Sequence, residues 1–307
     1  MAKNEFLPFG TAANANVLPN TDYQTLPARS AGFSSGVAKS EELNTVWRQG
    51  STMAAVLGQF IADKTGQDVL DDGDVNGLLD KLKVAMGGCL IGIQRFTASG
   101  TYTPTPGTRY VIVEAVGGGG GGGGCATPSS GTVSAAAGGN SGTYGKGKYT
   151  INGNVAVTVG TGGAGGIASD TTSGATIGEP GGDTKFGTLL TCPGGNSGLA
   201  ANSFQIPNIC QSIPPKTLQP TGANIASIDG ESGGNGFALG AGISGKGGSN
   251  PLGSGGASVG ASGSNSVKGN DGSGYGSGGS GAFAGPSAQG KNGGNGAPGL
   301  VIVWEFT

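Results

Sequence analysis

The 307-residue chain carries 69 glycines, only 11% charged residues and a net charge of −2. Glycine is thus about three times its usual share of roughly 7%, and charge is well below the usual ~25%. Such a chain cannot fill an ordinary side-chain core along its whole length, because glycine brings nothing to bury and loses the most backbone entropy on folding. No clustered basic stretch points to nucleic acid. Histidine is absent, which removes Ser-His-Asp and Cys-His catalysis, histidine metal sites and histidine pH switches together.

The opening MAKNEFLPFG has no hydrophobic h-region, so no secretory signal is expected. The longest apolar runs, near Val111 and Val301, fall far short of the ~18 residues of a membrane span, and no membrane insertion is expected. Cys89, Cys125, Cys192 and Cys210 show no C-x-x-C spacing. Zinc and thioredoxin-like readings therefore fail, and free thiols are expected, with a Cys192–Cys210 bridge left open for an oxidising setting.

Residues 1–38, with Pro8, Pro19 and Pro27, read as an extended arm rather than a packed unit. Residues 39–88 read as helical. Ser40 is placed to cap a helix whose first turn holds Glu41 and Glu42. Leu43, Val46, Met53, Leu57 and Phe60 recur at a 3-4 spacing around Gly50. That pattern suits a coiled-coil-like seam between subunits, or one amphipathic helix of a small globular head. A second helix is predicted over 75–86, with Val75, Leu78, Leu82 and Ala85 on one face.

Residues 89–307 form the third region. Strands are predicted at Ile91–Ala98 and Arg109–Val116, around a turn-rich piece with Pro104 and Pro106-Gly107. The second runs straight into eight glycines, 117–124. NVAVTVG (154–160) and LVIVWEF (300–306) are further strands. The apolar strands are expected to pair as a β base from which the glycine segments project.

Three forms compete for the glycine-rich part. A collagen helix needs glycine at every third position over long runs, and GTGGAGG (160–166) and GSGGSG (276–281) break that register. Disorder and irregular β structure are two alternatives. The expected form is a bundle of polyglycine-II helices, with three residues per turn and sideways hydrogen bonds between backbones. Three-residue spacing recurs at Gly242, Gly245, Gly248 and at Gly290, Gly293, Gly296, Gly299. The fold class expected is therefore fibrous and mixed: arm, short α-helical region, β base and a glycine-rich lobe.

Glycine-poor insertions interrupt the tracts. The clearest is 199–229, with Phe204, Ile206, Ile209 and Ile213 beside several prolines. Tyr144, Phe237, Tyr275 and Phe283 are isolated aromatics elsewhere. Phe204, Ile206, Ile209, Ile213, Phe237, Tyr275 and Phe283 are the candidates for recognition of a partner. The other role for such residues is to staple the glycine layers together.

Asp72-Gly73-Asp74-Val75-Asn76-Gly77 opens like a calcium loop, but Lys83 stands where the bidentate glutamate belongs. A turn with Asp74 capping the second helix is expected instead. No P-loop is present, and the few scattered carboxylates match no paired-acid motif. No catalytic residue, metal or cofactor is expected.

MAKNEFLPFGTAANANVL and SGVAKSEELNTVWRQGSTMAAVLGQFIADKTGQDVLDDGD resemble the N-terminal part of tail-fibre proteins of tailed bacteriophages and prophages, over about residues 1–86. IQRFTASGTYTPTPGTRYVIVEAVGGGGGGGG and the closing GLVIVWEF resemble the glycine-rich domain that ends many such fibres, over about 91–306. The resemblance implies a homotrimer held to other tail proteins near its N-terminus. It also implies distal loops, carried on polyglycine-II helices, that touch a bacterial outer-membrane protein or surface glycan. A virion protein made in the host bacterial cytoplasm would follow. The chain lacks the extended shaft of longer fibres. A tail component that packs on other virion proteins and binds no receptor is the alternative.

Overall fold

The structure is a computed structural model that describes residues 2–33, 37–88, 90–214, 219–238 and 242–307. It divides into two compact units, Met1–Cys89 with Thr307, and Leu90–Phe306. The described residues form four helices and a set of small antiparallel sheets.

In the first unit the helix Ser40–Thr65 runs unbroken through Gly50 and ends on Gly66, whose φ of 68° closes the last turn. Ser40 is the first helical residue and not the cap; Lys39 holds that place without a side-chain bond. A second helix spans Val75–Ala85, and the Gly77 N–H donates to Asp74 Oδ1 at 2.9 Å, as the sequence predicts. Ile61, Ala62, Val69 and Ala85 are buried between the helices, with Ala2, Phe6, Leu78 and Leu82 against them. Val75 instead lies open to solvent.

Residues 1–38, expected as an extended arm rather than a packed unit, are in part packed through hydrogen bonds. Val69 N–H donates to Lys3 O, Phe9 N–H to Ser51 Oγ and Leu18 N–H to Thr45 Oγ1, while Asn4 Nδ2 donates to Ala55 O. Short helices at Asn20–Thr25 and Ala28–Ala31 take up part of the rest. The arm lies along the long helix because its backbone donors find side-chain acceptors there. Away from these contacts the helix is bare among the described residues: Val46, Met53, Leu57 and Phe60 are exposed, as is Val56, while Trp47 meets the Phe9 ring edge-on at 5.9 Å.

The second unit begins as two packed sheets. One orders its strands Leu90–Phe96, Leu300–Phe306, Tyr110–Val116, Tyr144–Thr150 and Ala226–Ile228. The closing strand pairs with Tyr110–Val116 along its whole length, Leu300 opposite Val116 and Phe306 opposite Tyr110. The other sheet holds Gly100–Tyr102, Val155–Thr158, Thr184–Phe186 and Leu190–Cys192. Val111, Val113, Ala115, Val301 and Val303 face Tyr102, Val157, Phe186, Leu190 and Cys192 across the core. The strand expected at 154–160 therefore belongs to this second sheet and is shorter, because only Val155–Thr158 pair there before the chain enters a glycine run.

Glu305 is buried on the core side of the closing strand, and among the described residues it forms no salt bridge. It accepts from Tyr102 Oη at 2.8 Å, from Thr105 N at 2.9 Å and Oγ1 at 2.8 Å, and from Gln94 Nε2 at 3.2 Å. Burial alone would raise its pKa, but the Thr105, Tyr102 and Gln94 donors outweigh it and leave the carboxyl below its ordinary value.

From the base the glycine run 117–124 leaves the strand Tyr110–Val116, and its N–H groups turn through three directions. Gly117, Gly120 and Gly123 donate to Thr143, Asn140 and Ala137. Gly118, Gly121 and Gly124 donate to Gly182, Glu179 and Thr176, and Gly119, Gly122 and Cys125 to Ala297, Gly294 and Lys291. Each acceptor falls by three as the donor rises by three, so these three neighbours are antiparallel. Its carbonyls accept from three parallel neighbours: Gly195, Gly198 and Ala201; Gly163, Gly166 and Ser169; Gly279 and Ala282. Run 117–124 is thus enclosed by six others and buried throughout.

This lattice explains the sequence it needs. A Cβ on any of Gly117–Gly124 would lie against a neighbouring backbone carbonyl, so the enclosed run tolerates glycine alone. At the rim only some positions point inward. In run 160–168 Gly163 and Gly166 are buried while Thr161, Ala164 and Ile167 are exposed. Where a rim run lacks a neighbour, side chains supply acceptors: Asn295 Oδ1 takes the Gly165 N–H, Asn292 Oδ1 the Ala168 N–H and Asn140 Oδ1 the Gly233 N–H.

Candidate recognition surface

The hydrogen-bond register sorts the loops of the second unit. Runs 117–124, 160–168, 193–201, 230–236 and 277–282 travel away from the base, and 136–143, 176–182, 245–248 and 291–299 return. Segments 125–135, 169–175, 202–213, 237–238, 242–244 and 283–290 therefore lie at the end remote from the base sheets. Of these, 202–213 contains no glycine.

A four-stranded sheet sits there, ordered Asn208–Cys210, Gly236–Ala238, Gly242–Ile243 and Gly260–Ala261. Ile209 stands opposite Phe237, and Phe237 opposite Ile243. Directly opposed residues share one face of a sheet, so the three form a row across three strands. They are 52%, 37% and 48% exposed. Ile206 is also open to solvent. Segment 199–214 and segment 255–267, which supply the two outer strands, contain no charged residue.

The other candidates separate from this row. Phe204 is half-buried and packs on Cys125, Ala136, Ala201, Ala282 and Ala284. Ile213 is half-buried, its carbonyl accepting from Asn140 Nδ2 at 3.1 Å. Phe283 is 1% exposed, inside a cluster with Ala135 and Val259, so it staples the lattice and cannot meet a partner. Gly242 makes room for it, since a Cβ there would strike the Phe283 ring. Tyr144 is buried at the base end with Val116 and Leu300. Tyr275 lies at that end too: it packs on the same cluster, and Arg95 both hydrogen-bonds its hydroxyl and stacks 5.1 Å from its ring centroid. Ile243 is the member of the row that the sequence does not single out. A lone isoleucine between glycines gives no signal until its strand register is known.

The described cysteines are free thiols, as expected, and the bridge left open between Cys192 and Cys210 is not made. Cys192 lies in the core between the base sheets, whereas Cys210 packs on the cluster at the remote end. The two are free and cannot bridge within the chain. Cys89 lies outside the described residues. Burial pushes the Cys192 thiol up to about 12 and raises the Cys210 thiol as well.

Among the described residues no group of three or more His, Cys, Asp or Glu side chains is placed to hold a metal ion. Asp72 and Asp74 are engaged in the turn before the second helix, Asp72 Oδ1 accepting from Asp74 N at 3.0 Å. Among the described residues no helix is long and apolar enough to cross a membrane.

These features define a protein whose second unit joins a side-chain core between two base sheets to a backbone hydrogen-bond lattice. The family model of a glycine-rich domain matches residues 96–304, and the chain belongs to that family. No curated protein matches the chain.

Proposed function

We propose that the chain is a non-enzymatic tail-fibre protein of a tailed bacteriophage that adheres to a bacterial surface through the remote end of its glycine-rich unit. The observation that carries this reading is the exposed, uncharged row Ile209–Phe237–Ile243 on that end. Exposed apolar patches of this kind mark interaction sites, and loops on a rigid scaffold suit recognition. The resemblance of residues 1–86 to fibre N-termini supports the viral assignment. The three-residue hydrogen-bond period supports reading the glycine runs as polyglycine-II helices.

In this proposal residues 1–38 join the chain to other tail proteins. Three copies associate along the bare face of the helix Ser40–Thr65, through Leu43, Val46, Met53, Leu57 and Phe60. Three tips on one fibre turn weak contacts into avidity. The receptor is an outer-membrane protein or a surface glycan, and the protein resides in the virion after synthesis in the host cytoplasm.

The test uses purified full-length protein and the double variant Ile209→Ser/Phe237→Ser. Deleting 199–229 would remove the strand Ala226–Ile228 and disturb the base, so point variants are preferable. Wild-type protein should bind sensitive cells and compete with infection, and the folded double variant should do neither. A folded wild-type protein that binds no host cell and never competes would end the adhesion reading in favour of a structural role in the tail. Loss of capsule or lipopolysaccharide on incubation would overturn the non-enzymatic assignment.

A further inference from the structure

The sequence contains five Asn-Gly pairs: Asn76-Gly77, Asn152-Gly153, Asn235-Gly236, Asn292-Gly293 and Asn295-Gly296. An Asn-Gly pair is chemically fragile when the glycine nitrogen can reach the asparagine side-chain carbonyl. Glycine favours this approach because it has no Cβ to block it and rotates freely. The reaction requires that nitrogen to be free, because an N–H committed to a good acceptor is held away from the side chain.

Four of the five pairs are held. Gly77 N–H donates to Asp74 Oδ1 at 2.9 Å. Gly293 N–H donates to Gly166 O and Gly296 N–H to Gly163 O, each at 2.9 Å inside the lattice. The side chains of Asn292 and Asn295 are engaged too, each accepting a backbone N–H at 2.8 Å. Gly236 is buried in a strand opposite Cys210, against the Ala135 backbone carbonyl. None of these backbones can turn without breaking the structure around it.

Asn152-Gly153 differs in every respect. Both residues are exposed, in the link 151–154 between the strands Tyr144–Thr150 and Val155–Thr158. Among the described residues nothing accepts from Gly153 N–H, and the Asn152 side chain makes no hydrogen bond. A Cβ on Gly153 would meet nothing within 4 Å.

We propose that Asn152 is a site of spontaneous deamidation, the position at which this protein ages chemically. The Gly153 nitrogen attacks Asn152 Cγ and gives up its proton as the new N–C bond closes a five-membered imide. The bond from Cγ to the side-chain nitrogen breaks, and that nitrogen leaves as ammonia with the displaced proton. Water then opens the imide at either carbonyl, giving aspartate or isoaspartate. No oxidant, metal or enzyme is required. The product adds one negative charge, and the isoaspartate form adds a methylene to the backbone of the link. That link joins the two base sheets beside Ile151, which is packed in their core, so conversion should also loosen the base.

The experiment incubates folded full-length protein in mildly alkaline buffer made with heavy-oxygen water and follows each Asn-Gly pair by peptide mass mapping. Asn152 should convert at least about tenfold faster than the other four pairs, a difference of one decade in rate. In denaturant all five should converge on similar rates, since the protection lies in the fold. Gly153→Ala, which finds open space, should slow Asn152 by about the same decade while the melting temperature holds. The proposal is overturned if Asn152 stays intact while another pair converts, or if Gly153→Ala converts as fast as the wild type.

Discussion

Gly121 donates its backbone N–H to the carbonyl of Glu179 at 2.9 Å, and a Cβ on Gly121 would press on the Ala164 backbone carbonyl from a third run. One glycine therefore fixes the spacing of three chains. Gly121→Ala should destabilise the second unit by about 3 kcal/mol or more, at the upper end of overpacking costs, because backbone and not a flexible side chain must yield. Gly50→Ala, in the helix Ser40–Thr65 with open space around it, should raise stability by about 0.5–1 kcal/mol. Calorimetry resolving the two units would show the first change in one transition and the second in the other. A Gly121→Ala protein that melts like the wild type would remove the steric account of the octaglycine run.

Phe237 and Phe283 are the same residue type with opposite settings. Phe237→Ala should leave the fold nearly untouched and weaken cell binding, since its ring stands in the exposed row. Phe283→Ala should cost about 3–5 kcal/mol, as for a buried aromatic, and any loss of binding should follow the loss of fold. Cell binding and thermal melting measured on both proteins separate the two roles. Equal melting temperatures would contradict the burial of Phe283.

The contrast between these two phenylalanines also marks what can be read from the sequence. The base strands Tyr110–Val116 and Leu300–Phe306 are legible as β-branched apolar runs, and the structure pairs them. The strand Tyr144–Thr150 is not, because YGKGKYT hides its inward face behind Gly145 and Gly147. The three-residue period is visible in glycine spacing, but the neighbour of each run is not. Glycine has no side chain to encode pairing, and the selecting groups are isolated acceptors such as Asn140 and Asn295. Ile209 and Phe237 can be named as candidates, yet only strand register brings them together and adds Ile243.

The bare face of the helix Ser40–Thr65 yields a prediction independent of the tip. If three chains meet there, Met53→Glu with Leu57→Glu should turn a trimer into monomers by light scattering while helix content is retained. Both residues are exposed, so the change leaves the buried set Ile61, Ala62, Val69 and Ala85 intact. A wild-type chain that is already monomeric would remove the seam.

Thiol chemistry should follow burial. Cys210 is the more accessible of the three described cysteines, so alkylation of folded protein at neutral pH should reach it before Cys125 and Cys192. Cys192, with its thiol pushed up to about 12, should react only on unfolding. Mild oxidation should produce no Cys192–Cys210 bridge. Mass mapping of a time course decides this, and early labelling of Cys192 would contradict the packed base core.

Glu305 sets an acid limit on the base. Its carboxyl is held below the ordinary value of 4.5 in the folded chain, because the donors from Thr105, Tyr102 and Gln94 outweigh the effect of burial. A carboxylate lowered in this way binds a proton more readily when unfolded. Its contribution is therefore present above the unfolded value and is lost as pH falls through the lower, folded value. The second unit should lose stability below about pH 4.5. Glu305→Gln keeps the shape but turns one acceptor oxygen into a donor facing the same donors. It should cost about 1–3 kcal/mol at neutral pH, as for an unsatisfied buried polar group, and should flatten the acid limb. Melting temperatures of the two proteins across the acid range test both parts. A Glu305→Gln protein as stable as wild type at neutral pH, with the same acid limb, would show that this buried carboxylate does not hold the base.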